Sequence, residues 1–154
     1  MVSSWNWGSG KGLLAIDDPA EVDAAFERGE PRLGTAVIGL AFNCSLEDAS
    51  PRIIRAMRLP DIDQRGFAFT AAGAAARTNG RLTPELYSAL RAEGIKSIAE
   101  YAIKDTLTFV PFWQLPPRFK WWKVQSRVRN KLEGWWLRSA ESVEDAWNAL
   151  RRRF

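Results

Sequence analysis

The sequence contains no histidine and only one cysteine in 154 residues. Without histidine, the chain has no Ser-His or Cys-His nucleophile pair, no His-ligated metal and no imidazole acid–base group. Catalysis by carboxylates or by lysine would still be possible, but the sequence shows no group of such residues at a spacing that suggests an active site. We therefore expect a protein that is not an enzyme, with no catalytic, cofactor-binding or metal-ligating residues and no cofactor.

Cys44 stands alone, so an internal disulfide cannot form. Unpaired cysteine is among the most buried residue types, and Cys44 lies at the end of an apolar run. We interpret it as a structural thiol and not as a reactive one.

Long hydrophobic runs are also missing. The best candidate, residues 33–42, is ten residues long and is interrupted by Gly34 and Gly39. A membrane-spanning helix needs about 20 apolar residues. The first seven residues lack the basic start and the apolar block of a signal peptide. These features predict a cytoplasmic protein.

Charge is distributed unevenly along the chain. Residues 1–64 carry ten acidic and six basic residues, for a net charge of −4, whereas residues 65–154 carry eight and sixteen, for +8. An asymmetry of this kind can guide the choice of partner, but it does not determine the fold.

Helix signals recur at short intervals. N-cap signals stand at Asp18, Ser45, Thr83 and Ser142, and stop signals stand at Gly29, Pro60, Gly80 and Gly94. Between them apolar residues recur every three or four positions, and no segment alternates with period two, so we predict helices and essentially no sheet. The helix over residues 63–78 is rich in Ala and Gly, which predicts close helix–helix approach and a central position.

The helices pair at a period near 33 residues, and an offset of 34 superposes Gly39 on Gly73. Regular pairing of this kind is typical of a small solenoid. We divide the chain into an irregular N-terminal segment (1–16), helical repeats (17–110) and a Pro/Trp-rich basic C-terminal helical extension (111–154).

Residues 60–68, Pro-Asp-Ile-Asp-Gln-Arg-Gly-Phe-Ala, resemble the HEAT-repeat consensus together with the following Ala72-Gly73 pair. In that consensus a Pro-Asp turn precedes a helix that bears Arg, then Ala, then a Leu/Ala-Gly pair. Residues 65–82 and 99–105 are similar to a HEAT-like group among the immunity proteins of bacterial polymorphic toxin systems. In that group a helix ends in an Ala-Arg-Ile-His-Gly-like run, where this chain has Thr78-Asn79.

The resemblance implies an all-α fold, a short right-handed α-solenoid of HEAT-like helix pairs, to which we add a Trp-rich C-terminal helical cap. It also implies an immunity protein that neutralises a cognate bacterial toxin by occlusion, with a toxin domain, for example a nuclease, as its protein partner. The alternatives are a HEAT-like adaptor or regulatory protein, and a protein that binds nucleic acid or an anionic membrane surface through its basic Trp-rich end.

The segment after Pro111 has an unusual composition, because residues 112–131 hold six basic residues and no acidic one. Three interpretations remain open. The aromatic residues could close the end of the solenoid, as a terminal repeat requires. They could form a protein-binding surface, since Trp and Arg are enriched at interface hot spots. They could also bind nucleic acid or an anionic membrane.

Helical periodicity separates the tryptophans of this segment. Trp121 and Trp135 fall on one apolar face, so we expect them to be buried. Trp122 and Trp136 lie about 100° further round, at the edge of that face, and are candidate partner contacts. The neighbouring Lys120 and Lys123 are further candidates.

Asp61 and Asp63 complete the set of candidate partner-binding residues. Two Asp residues in a Pro-Asp turn are typical helix caps, although the same pair could be imagined as a catalytic or metal site. They belong to the acidic surplus of residues 17–63, which would suit a basic partner such as a nuclease toxin.

Overall fold

A computed structural model describes the backbone of residues 5–151 and the side chains of residues 5–139. These residues form seven α-helices, two short 3-10 helices and no strand, which confirms the all-α prediction. The α-helices are α1 (Pro19–Arg28), α2 (Leu33–Asn43), α3 (Leu46–Ala56), α4 (Ile62–Asn79), α5 (Pro84–Glu93), α6 (Glu100–Phe109) and α7 (Pro117–Arg151).

Local side-chain chemistry fixes most helix ends. The Asp18 carboxylate accepts two backbone N–H groups at the start of α1, and the hydroxyls of Ser45 and Thr83 accept one each at the starts of α3 and α5. Gly29 and Gly80 follow α1 and α4 with φ of 69° and 63°. This left-handed backbone conformation favours glycine, so the predicted stops have a steric cause.

α6 begins at Glu100 and does not follow directly after the stop at Gly94. Residues 95–99 form a turn instead. The Ser97 hydroxyl donates to the Gly94 carbonyl at 2.7 Å and accepts the Ala99 N–H at 3.1 Å. A serine that bonds to its own neighbouring backbone favours a turn over a continuous helix.

The α-helices of the first part of the chain contact one another in a regular order. α4 lies between α2 and α6 and contacts both. α1, α3 and α5 also contact one another in sequence order, and α3 contacts α2 and α4 as well. α4 is among the most buried helices, as predicted; its buried small residues are Ala68, Ala71, Ala72, Gly73, Ala74, Ala75 and Ala76.

Glycines allow the close approach of these helices. A Cβ added at Gly34 would lie 2.1 Å from the carbonyl oxygen of Gln64, at the contact of α2 with α4. A Cβ added at Gly73 would lie 2.9 Å from a carboxylate oxygen of Asp105, at the contact of α4 with α6. The Gln64 side chain also accepts the Gly34 N–H at 2.9 Å, and it thereby satisfies the start of α2, where Arg32 supplies no side-chain cap.

An offset of 34 superposes Gly39 on Gly73 in the sequence. In the structure, however, the two glycines contact different neighbours. A Cβ at Gly39 would lie 2.3 Å from the carbonyl oxygen of Leu13, in the segment before α1, whereas Gly73 faces the later helix α6. The offset therefore does not superpose equivalent packing contacts.

The segment before α1 has no α-helix, but it packs closely. Leu13 and Ile16 are fully buried. The Asn43 side-chain amide donates to the carbonyl oxygens of Leu14, at 3.0 Å, and Ile16, at 3.2 Å. Residues 13–16 are thus tied to the end of α2.

The chain divides into two compact units, the first ending at Pro116 and the second beginning at Pro117. The second unit consists of α7, which is continuous from Pro117 to Arg151. The prediction of a separate last helix capped by Ser142 is therefore wrong. Ser142 and Gly134 weaken a helix only slightly, and neither removes a backbone hydrogen bond as proline would.

Candidate binding surfaces

Asp61 and Asp63 stand at the start of α4, where the chain turns after Pro60. The Asp61 carboxylate accepts the backbone N–H groups of Asp63, at 2.8 Å, and Gln64, at 3.0 Å, so it is a helix cap. Both carboxylates are exposed. Between them Ile62 exposes 64% of its surface.

A surface groove of about 460 Å³ runs between the starts of α4 and α6. We call it the α4–α6 groove; the lining side chains that bear on its function are Ile62, Asp63, Phe67, Ile98, Glu100 and Tyr101. Phe67 exposes 41% and Tyr101 exposes 80% of its surface. The groove thus combines accessible apolar and aromatic side chains with two carboxylates, of which Glu100 is paired with the Lys104 ammonium at 2.6 Å.

A second depression of about 500 Å³ lies where α1, α2, α3 and α4 meet, and Asp61 lines it. It also contains Arg55 and Arg58, and the Arg55 guanidinium lies 4.5 Å from the Phe26 ring centroid. Its charges are therefore mixed. Asp61 and Asp63 lie close together in the chain but border different depressions.

Ion pairs within the first unit neutralise several of its acidic residues. The pairs that involve residues 17–63 are Glu21–Arg28, Glu30–Arg28, Asp23–Arg52, Glu27–Arg55 and Glu47–Arg81. Among the side chains that the structure describes, Asp61 and Asp63 form no ion pair. The negative charge at the start of α4 therefore remains available to a partner.

Cys44 is half-buried at the end of α2. Burial raises the pKa of its thiol above the usual value, and the nearby Asp48 carboxylate acts in the same direction. The thiolate, which is the reactive form, is thus disfavoured at neutral pH. This fits the interpretation of Cys44 as a structural residue.

The tryptophans at the start of α7 are buried in the opposite order from the prediction. Trp121 exposes 61% of its surface, whereas Trp122 exposes 7%. The Trp122 ring packs edge-on against Phe119, with the centroids 5.1 Å apart, and the Arg118 guanidinium lies 5.6 Å from its centroid. The helix has two apolar faces here, and periodicity alone does not tell which of them becomes buried.

Further along α7, Trp135 exposes 71% and Trp136 exposes 74%. The expectation that Trp135 is buried is therefore also wrong. Trp136 is accessible to a partner, and Trp122 offers little surface to one. The two residues are also about 21 Å apart along the helix axis, so they do not form one contact patch.

Lys120 and Lys123 flank Trp122 in the sequence, and both are half-buried. Burial lowers the pKa of the Lys123 ammonium, with a further contribution from the positive charge of Arg127. Asp61 and Asp63 therefore do not line one common site. On α7, Lys120, Trp122 and Lys123 lie within about one turn, and Trp136 lies further along the helix. Of these four, Trp136 is the most exposed.

Sequence reasoning missed Ile62, Phe67 and Tyr101, the three exposed side chains of the α4–α6 groove. In the sequence each resembles any other apolar residue of a helix. The position of Ile62 between two exposed carboxylates was the one available signal that its side chain lies at the surface.

Comparisons with protein-family models, with curated proteins and with solved structures gave no match for this chain. Within residues 5–139, no three Cys, Asp or Glu side chains are grouped so that they could hold a metal ion. None of the helices described is long and apolar enough to cross a membrane.

Proposed function

We propose that this protein is a non-catalytic binding module, an immunity protein that neutralises a cognate bacterial toxin by occlusion. The observation that carries the proposal is the α4–α6 groove, in which Ile62 and Tyr101 expose 64% and 80% of their surface beside Asp63. Large aromatic and aliphatic side chains in a depression, with charge at the rim, are the features of a protein interface.

The fold part of the proposal is a short right-handed α-solenoid of HEAT-like helix pairs. The order of helix contacts supports it, because α2, α4 and α6 adjoin in sequence order and so do α1, α3 and α5. In a solenoid each helix pair contacts mainly the pairs before and after it. The Trp-rich C-terminal cap stays a prediction.

The charge of the groove supports a basic partner. Asp63 lines the groove, Asp61 is two residues away, and neither carboxylate is neutralised within the described part of the chain. A nuclease must present a cationic surface to the phosphates of its substrate. A partly apolar groove with the Asp63 carboxylate at its rim would attract such a surface and cover it, which is inhibition by occlusion.

The proposal is tested first in cells. The resemblance to immunity proteins implies that the gene directly beside this one encodes the toxin. Production of that toxin domain alone should stop growth of a host strain, and co-production of this chain should restore growth. A neighbouring gene product that is harmless would favour the alternative of an adaptor protein.

The groove is tested with purified proteins. Tyr101→Ala should raise the Kd for the toxin domain by about 30-fold, the effect of losing one interface hot spot. Trp113→Ala is the matched control, because Trp113 is an aromatic residue of the same unit with 76% exposure but does not line the groove. A larger effect at Trp113 than at Tyr101 would move the binding surface to the Trp-rich segment.

A further inference from the structure

An apolar stripe runs along the exposed side of α7. It consists of Trp121, Val124, Val128, Leu132 and Trp135, which expose between 44% and 71% of their surface. Successive members are three or four residues apart, so all five lie within a sector of about 80° around the helix axis. Apolar side chains aligned in this way form one continuous surface that no described residue covers.

The stripe is distinct from the apolar side chains that the start of α7 already buries. Phe119 and Trp122 expose 1% and 7% of their surface. On a helical wheel these two residues lie about 180° and 120° from the centre of the stripe. The described part of the helix therefore has a second apolar face, which is exposed to solvent.

Basic residues border the stripe on both sides. Residues 117–139 contain seven basic residues and one acidic residue. Lys131 and Arg127 lie about 60° and 100° from the centre of the stripe on one side, and Arg129 lies about 100° away on the other. In these positions Lys and Arg can extend their charged ends past the apolar surface toward anionic groups.

We propose that α7 lies on an anionic lipid bilayer, with the apolar stripe inserted at the boundary between headgroups and acyl chains. Two positive borders, an apolar stripe and exposed tryptophans are the features of an interfacial helix. Trp121 and Trp135 carry a polar N–H on a large apolar ring, which suits the headgroup region. The helix lies along the surface and does not cross it.

Charge and side-chain chemistry favour lipid over other occupants. Two copies of α7 packed stripe to stripe would bring the strongly basic segment 117–139 of each copy together, which is repulsive. A nucleic acid would attract the same cations, but the aliphatic side chains of Val124, Val128 and Leu132 gain nothing from phosphates. An anionic bilayer offers acyl chains to the apolar stripe and negatively charged headgroups to the basic residues that border it.

The test is co-sedimentation of the full chain with vesicles of phosphatidylglycerol and phosphatidylethanolamine, and with vesicles of phosphatidylcholine alone. We expect binding to the anionic vesicles and much weaker binding to the neutral ones. Leu132→Glu, in the stripe, should weaken binding to the anionic vesicles by about tenfold or more, because it removes an inserted apolar side chain.

Leu137→Glu is the matched control. It makes the same substitution in the same helix, at a residue that exposes 69% of its surface compared with 55% for Leu132. Leu137 lies about 180° from the centre of the stripe. Only the added negative charge should therefore affect binding, and the affinity for anionic vesicles should fall by less than about fivefold. Circular dichroism of both variants checks that the helices are intact.

Four results would overturn the proposal. Two concern the vesicles: no binding of the wild-type chain to anionic vesicles, and equal binding to anionic and neutral ones. The third is an equal loss of vesicle binding in Leu132→Glu and Leu137→Glu. The fourth is a wild-type dimer that Leu132→Glu converts to a monomer. Retention of the chain on a single-stranded oligonucleotide but not on vesicles would assign the basic borders to nucleic acid instead.

Discussion

Gly34 in α2 and Gly134 in α7 are both glycines inside helices, but the space around them differs. A Cβ at Gly34 would lie 2.1 Å from a backbone oxygen of α4, whereas a Cβ at Gly134 would meet nothing within 4 Å. The apolar residues of the two helices differ in burial in the same way, since Val37 in α2 is fully buried and Leu132 in α7 exposes 55% of its surface. In the first unit, contacts between helices bury most of the apolar side chains, and the groove residues Ile62, Phe67 and Tyr101 are among the exceptions. Along α7 from residue 124 to residue 139, the large apolar side chains are exposed instead.

The comparison predicts its largest effect at Gly34. Gly34→Ala should lower the free energy of unfolding by about 3 kcal/mol or more, because the added methyl group meets backbone that cannot move without separating α2 from α4. Chemical denaturation of the purified variant measures the change.

Gly66→Ala is the control for Gly34→Ala. A Cβ at Gly66 would lie 3.7 Å from the Cδ1 atom of Ile98, which is an ordinary contact. Alanine should therefore be tolerated there and could stabilise α4 by up to about 1 kcal/mol through its higher helix propensity. Equal destabilisation by the two substitutions would show that the close contact at Gly34 is not the cause.

The next comparison lies within α7, where a loss of similar size is expected at Trp122. Trp122→Ala should cost about 3–5 kcal/mol, as other truncations of large buried side chains do. Trp121→Ala removes a side chain that exposes 61% of its surface and should change stability by much less. Thermal melts of the two variants compare them directly. A greater loss at Trp121 would mean that the sequence-based assignment of the faces was right.

The smallest effect is expected at Gly134. Gly134→Ala should increase the helicity of α7 and stabilise it by up to about 1 kcal/mol, since alanine is the better helix former and nothing obstructs its methyl group. Amide hydrogen exchange along residues 117–139 would detect the change. Faster exchange in the variant would contradict this expectation.

Features that depend on neighbouring residues in the chain could be predicted from the sequence. The caps at Asp18, Ser45 and Thr83 and the stops at Gly29 and Gly80 hold because a side chain or a left-handed backbone acts on its own helix end. The abundance of Ala and Gly in α4 likewise implied its burial, because only small residues let helices come this close.

Features that depend on tertiary contacts could not be predicted. Trp121 and Trp122 lie on two apolar faces of the same helix, and only contacts with other residues decide which face is buried. The cap of α2 comes from Gln64, 30 residues from the Gly34 N–H that it accepts. Ile62 and Tyr101 belong to different helices, so their common groove follows from the packing of α4 against α6.

Hydrogen–deuterium exchange of the full chain, with and without the proposed toxin partner, tests the proposed mode of inhibition most directly. Occlusion through the α4–α6 groove predicts that slowed exchange is concentrated at residues 62–70 and in the turn at residues 95–99. Slowed exchange confined to residues 117–139, with no change at the groove, would contradict it.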